Sequence, residues 1–148
     1  MIDLLGSKRL RLVMTALLHI AASKGPVSGK LLAEKLQCSR RYLESDLQAM
    51  AQHGLLESRR GARGGYYLAR SPQRISLLDV LQCLASDNGT ETAMEGCLLQ
   101  ERIVLPQLQQ ARTAMAESLS VITLADSLKQ AEKHGLLHTA PATPDFCI

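Results

Sequence analysis

The side chains best equipped to do chemistry in this chain are cationic and clustered. Arg40 and Arg41 open the stretch S-R-R-Y-L-E-S-D-L-Q-A-M-A-Q-H-G, and Arg59, Arg60 and Arg63 stud the run R-R-G-A-R-G-G that follows it. A guanidinium forks onto phosphate oxygens and guanine edges, so this density suits binding a polyanion more than making or breaking a bond. The sequence has no phosphate loop, no zinc-ligand pair and no nucleophile motif, which argues against an enzyme. Cys38, Cys83, Cys97 and Cys147 are widely scattered, with neither C-x-x-C nor the spacing of a structural zinc site.

These cations need rigid elements to present them. Leu43, Leu47 and Met50 recur at helical spacing, with Ser39 as the natural N-cap, its side-chain oxygen accepting an amide hydrogen bond. Gly54 supplies the left-handed stop. Upstream, Leu10, Leu12, Val13, Ala16, Leu17, Ile20 and Ala21 predict a helix from about Lys8 to Ser23, ended by Gly25-Pro26. Ser28 caps a second helix carrying Leu31, Leu32, Ala33 and Leu36, and Gln37-Cys38 makes a tight turn into the third. Two helices joined by so short a turn cross steeply, as in a helix-turn-helix, and the second presents its N-terminal residues outward. Leu55–Ser58 and Tyr66–Leu68 read as strands around a tip whose Gly61, Gly64 and Gly65 permit positive φ and close backbone approach. A helix followed by a basic hairpin is how a winged helix-turn-helix grips double-stranded DNA. The plain alternative for the tip is a solvated turn.

Beyond the hairpin, Ser76 caps a helix over Leu77–Ala85, and the polar, acidic stretch Ser86–Gly96 reads as a loop. A long amphipathic helix is expected from Cys97 to about Leu119, with Pro106 marking either a kink or a true start near Leu105. A short helix starts at Thr123, and the Pro-rich tail beyond Gly135 is expected to be poorly ordered. The fold class is therefore mainly α with a small β-hairpin. Residues 1–76 form a winged helix-turn-helix DNA-binding domain, 77–135 a sensor loop with dimerisation helices, and 136–148 a flexible tail. A long terminal helix has little in its own chain to cover it, so a second copy burying its apolar stripe predicts a homodimer reading two half-sites. Folding back on its own domain is the alternative.

Composition agrees. In 148 residues, apolar content is 46% and aromatics only 3%, so Leu and Ala carry the packing, as in helical proteins. Net charge is only +3, but residues 1–74 hold 13 Lys and Arg against 5 Asp and Glu while residues 75–148 hold 4 against 9. The basic excess of 8 belongs to the half with the helix and hairpin, and the acidic excess of 5 to the other. No apolar run reaches the roughly 18 residues of a membrane span, and the expected compartment is the cytoplasm, where scattered cysteines stay reduced.

The segments S-R-R-Y-L-E, A-Q-H-G-L-L and R-G-A-R-G-G-Y-Y-L-A-R, followed by I-S-L-L-D-V-L and later C-L-L and I-T-L-A-D, resemble the Rrf-two-type (IscR-, NsrR- and CymR-like) regulators of bacteria. The likeness runs from Lys8 to about Gln130. It implies a homodimeric winged-helix transcription factor, expected to be a repressor at a palindromic promoter site and responsive to redox state, nitric oxide or iron. It places DNA contacts at Ser39, Arg40, Arg41, Tyr42 and Glu44, and at Arg60, Gly61, Gly64 and Gly65 of the wing, and apart from the resemblance Ser28, the cap of the second helix, is expected to contact DNA as well. Arg59 and Arg63 are charges this chain adds. Arg40 and Arg41 would meet guanine edges or phosphates, Tyr42 a phosphate or thymine methyl, and Glu44 a cytosine amino group. For Glu44 the competing reading is a helix-surface pair with Arg40 or Arg41.

Cluster-binding relatives carry three closely spaced cysteines before the long helix, whereas this stretch holds only Cys97. One thiolate per subunit is too few for an iron–sulfur cluster unless Glu95, Glu101, His19 or the other subunit completes it, so no cofactor is expected. Cys97 as a redox-reactive thiol at a helix start is the better reading, with an unreactive loop cysteine as its rival. Cys83 is expected to be a reduced core thiol. From a different class, a winged helix used only for protein–protein assembly would not need so cationic a tip.

Overall fold

The structure, a computed structural model, describes residues 2–85, 102–103 and 105–138. After a single helical turn, α1 (Ile2–Leu5), the first long helix is α2 (Lys8–Ala22), where the periodicity predicts it. Ser7 caps it, its hydroxyl accepting from the Leu10 amide at 3.0 Å, and the buried face is Leu10, Val13, Ala16, Leu17 and Ile20. Ser28 likewise caps α3 (Gly29–Leu36) through the Leu31 amide. The turn into α4 (Arg40–Gln52) is made by Gln37 in the left-handed region, φ 51°, the one non-glycine among the described residues with positive φ. This conformation lets two helices change direction within three residues.

Ser39 corrects one expectation. It stands at the N-cap of α4 with extended backbone, but its side chain makes no capping hydrogen bond. At the other end Gly54 follows the cap His53 with φ +72°, as expected. Strands β1 (Leu56–Arg59) and β2 (Gly65–Leu68) pair antiparallel, Leu56 opposite Leu68 and Arg59 opposite Gly65.

A 3-10 turn at Pro72–Arg74 leads to α5 (Leu77–Ala85), then come α6 (Leu105–Ser120) and α7 (Leu124–Lys133). The described helix begins at Leu105, which places Pro106 in its first turn, where its missing N–H costs no helical bond. Just before it, Arg102 and Ile103 lie in a π turn. The remainder of the helix expected from Cys97, the acidic loop and the last ten residues lie outside the described residues.

The starts of α5 and α7 are built alike and placed side by side. In each, a hydroxyl and a carboxylate exchange capping bonds with the helix amides, Ser76 with Asp79 and Thr123 with Asp126. The two caps pair as an antiparallel bridge, flanked by Leu77 N–H to the Ile122 carbonyl and Leu124 N–H to the Ile75 carbonyl, both at 2.8 Å. Leu119 and Leu124 accordingly join the same core as α2 and α4. Along most of α6 the described side chains are exposed, with Leu119 buried and Met115 and Ala116 half-buried. No helix among the described residues is long and apolar enough to cross a membrane.

Candidate nucleic-acid interface

The helix α4 buries Leu43, Leu47 and Met50, and the opposite face carries Arg41, Ser45 and Gln48 at helical spacing. With Arg40 and Glu44 these line a shallow, open groove along the helix. Their i+4 and i+7 offsets from Arg41 mark Ser45 and Gln48 as its neighbours, although both lie past the end of the S-R-R-Y-L-E motif.

The wing is set against this helix by backbone contacts. Val27, in the turn before α3, exchanges hydrogen bonds with Tyr66 in an isolated antiparallel bridge beside the hairpin. A Cβ on Gly65 would collide with the Val27 carbonyl group and the Ser28 amide, and φ there is +154°. A Cβ on Gly64 would strike the Arg59 carbonyl oxygen across the tip, which is closed by Gly64 N–H to the Gly61 carbonyl at 2.9 Å. The double glycine is thus a packing requirement and not only a flexible tip. On the exit from β2, Arg70 donates to the carbonyls of Gly54 and His53 at 3.0 and 3.3 Å, tying the hairpin to the C-terminal end of α4.

The result is a cleft of about 330 Å³ between the start of α3, the first turns of α4 and the wing. Ser28, Arg40, Glu44, Arg59, Arg60, Gly61, Gly64 and Gly65, all expected from sequence, meet there, together with Ser58 and Tyr66. Arg41 lies along the outer groove, and Arg63 is exposed at the tip. Ser39 and Tyr42 face the other side, where they line a separate cavity of about 430 Å³ with Lys8, Arg9 and Cys38. Tyr42 is 52% exposed, a large aromatic left open to solvent at the start of α4.

Glu44 is paired within its own helix, accepting from Arg40 Nε at 3.1 Å. In the unbound chain this is the helix-surface pair that competed with base contact. Burial, and then the Glu44 carboxylate, push the Tyr66 phenol above its ordinary pKa. On the outer face of the wing Tyr67 donates to Glu57, its partner across the strands.

Cys83 is buried on α5, as expected, and burial followed by the Asp79 carboxylate push its thiol up to about 11, which disfavours the nucleophilic thiolate. Cys38 is half-buried at the turn between α3 and α4. Among the described residues no three His, Cys, Asp or Glu side chains cluster so as to hold a metal. Cys97, Glu95 and Glu101 lie outside the described residues.

Comparison with known proteins agrees with this geometry. The sequence model of a family described as "Rrf2: Iron-dependent Transcriptional regulator" matches residues 6–130. An HTH-type transcriptional regulator of Synechocystis, slr0846, is 33% identical over 115 residues, covering 75% of this chain and 78% of the relative. Among solved structures, T. potens IscR superposes with a TM-score of 0.66 at 32% identity, over 86% of this chain and 88% of the other. CymR, the global cysteine regulator of B. subtilis, superposes with a TM-score of 0.63 at 28% identity, over 84% and 95%. The winged-helix fold expected from the sequence is the fold of these regulators.

Proposed function

We propose that this chain, which belongs to the Rrf2 family of transcriptional regulators and not to a class of enzymes, represses transcription by binding a palindromic promoter site as a homodimer. The observation that carries the reading is the cleft in which Arg40 of α4 meets Arg59 and Arg60 of the wing. With α4 in a major groove, Arg40 and Arg41 reach base edges or phosphates and Tyr42 a phosphate or thymine methyl. Ser28 borders the cleft and Ser39 the opposite side of the first turn of α4, where each is assigned a backbone contact, and the wing is assigned Arg59, Arg60 and Arg63 on the flanking phosphates or in the minor groove.

Residues 1–76 are assigned to DNA contact and 77–135 to dimerisation and sensing, in a cytoplasmic protein. The exposed length of α6, with Ile103 at 51% and Val121 at 72% exposure beside it, supports a second copy as its cover. The signal is assigned to iron, redox state or nitric oxide acting through Cys97, in keeping with the family's description as iron-dependent.

An electrophoretic shift of random duplex at low salt tests the DNA assignment, and an unshifted duplex overturns it. Sedimentation of the free protein tests the dimer. Cys97→Ser should remove the response of DNA affinity to oxidant or nitric oxide, and a fully responsive variant moves the switch elsewhere.

A further inference from the structure

Asp46 stands where an apolar residue is expected. It lies three residues after Leu43 and four before Met50, on the buried face of α4, and is 2% exposed. One carboxylate oxygen, Oδ1, accepts from Arg9 Nε at 2.9 Å and from Arg9 Nη2 at 2.6 Å. The other, Oδ2, is buried with no hydrogen-bond partner. Arg9, on the first turn of α2, is only 20% exposed.

As a way of holding two helices together this is inefficient. A buried ion pair seldom outperforms apolar residues of the same volume, and an orphaned oxygen adds a desolvation cost. What a guanidinium–carboxylate pair offers instead is direction, which a Leu–Leu contact lacks. The pair joins α2, whose face of Leu10, Val13, Ala16, Leu17 and Ile20 anchors it in the core, to the middle of α4. Arg41, Ser45 and Gln48 occupy the opposite face of α4, so any roll of the helix about its axis swings them along the groove. Arg9 also lines the cavity at the turn between α3 and α4 beside Ser39 and Tyr42, next to the first turn of α4.

We propose that Arg9 and Asp46 are positioning residues for DNA recognition. Their ion pair sets the roll of α4 on α2 and thereby the discrimination between a specific duplex and random DNA. It does not set fold stability or overall attraction to DNA. This rests on reading α4 as the recognition helix.

The test uses the full chain and a duplex that the unaltered protein selects from a random library, with a scrambled duplex of equal composition beside it. The double variant Arg9→Met with Asp46→Leu leaves net charge unchanged and fills the site with apolar groups. Its thermal midpoint should be equal or higher, and its affinity for the scrambled duplex within about twofold. The ratio of selected to scrambled affinity should fall about tenfold or more. Arg9→Lys, which keeps the charge but not the forked geometry, should give an intermediate ratio. A double variant that discriminates as well as the unaltered chain overturns the proposal. If the double variant does not fold, Asp46→Asn decides by the same ratio: a drop supports the proposal and an unchanged value overturns it. Failure of the unaltered chain to select any duplex would instead overturn the reading of α4, and the proposal with it.

Discussion

Tyr66 and Val27 exchange backbone hydrogen bonds at 2.8 and 2.9 Å, so the inner strand of the wing is stitched to the turn that launches α3. The wing and the helix-turn-helix are therefore parts of one frame, and the placement of the arginine tip depends on how closely two backbones approach.

That dependence can be tested at Gly65. A Cβ there meets the Val27 carbonyl and the Ser28 amide, both backbone groups that no rotamer change can move. Gly65→Ala should destabilise the fold by roughly 1–3 kcal/mol and weaken DNA binding by displacing the wing. Gly25→Ala, where nothing lies within 4 Å of the new methyl, should stay within about 0.5 kcal/mol of the original. Urea unfolding of both variants checks the contrast, and equal midpoints would remove the close-approach argument.

The tip itself should act through charge. Replacing Arg60 and Arg63 together by Ala removes two exposed cations without touching the core. If both meet phosphates, affinity should fall and the slope of log affinity against log salt should flatten by about 1.8 for the pair. Fluorescence anisotropy of a labelled duplex across a salt series measures both quantities. An unaltered slope would mean that the wing points away from the backbone.

Much of this was legible in the sequence because the signals are local. Ser28 as a cap, Gly54 as a stop and Ser76 as the start of α5 depend on neighbours a few residues away, and the structure places them accordingly. Ser39 misled because a residue type with capping potential need not use it, and only the resolved turn shows the hydroxyl free of that bond. The Arg9–Asp46 pair bridges 37 positions, so no window along the chain contains both. Its one local trace was a carboxylate on the stripe of Leu43, Leu47 and Met50, which marked a buried charge without naming its partner. The requirement at Gly65 was equally hidden, since Val27 reaches it only after the chain has folded back.

Glu44 offers a third test, because its carboxylate opposes any phosphate entering the cleft. In the free chain it engages Arg40, and both are partly exposed, so the pair contributes little to stability. Glu44→Gln should release Arg40 and raise affinity for random duplex several-fold, to about tenfold at low salt. The same change should lower the Tyr66 pKa, since Glu44 is one cause of its elevation, and ultraviolet titration of the phenol reports that directly. If Glu44 instead accepts from a cytosine amino group, the variant should lose preference at one position of a selected duplex. Unchanged random binding together with unchanged preference would leave Glu44 without a role in recognition.

His19 predicts how the fold responds to acid. It lies on α2, where partial burial and, second, the Lys35 ammonium hold its imidazole below the ordinary value of 6.5. Below 6.5 the unfolded chain protonates this imidazole first, so the unfolded state binds more protons and stability rises with pH across that window. Acidification from about pH 7 should therefore erode stability just below 6.5, and the loss should level off once the folded imidazole is also protonated. Asp126, the other cited group that loses stability in acid, is held below 3.8 by its hydrogen bonds with Thr123, so its contribution starts to fall only as pH drops through 3.8. His19→Gln should flatten the curve just below 6.5 while leaving the drop below 3.8 in place. Denaturant midpoints measured at several pH values decide the matter: a variant whose curve keeps its slope near pH 6 would assign the acid sensitivity to another group.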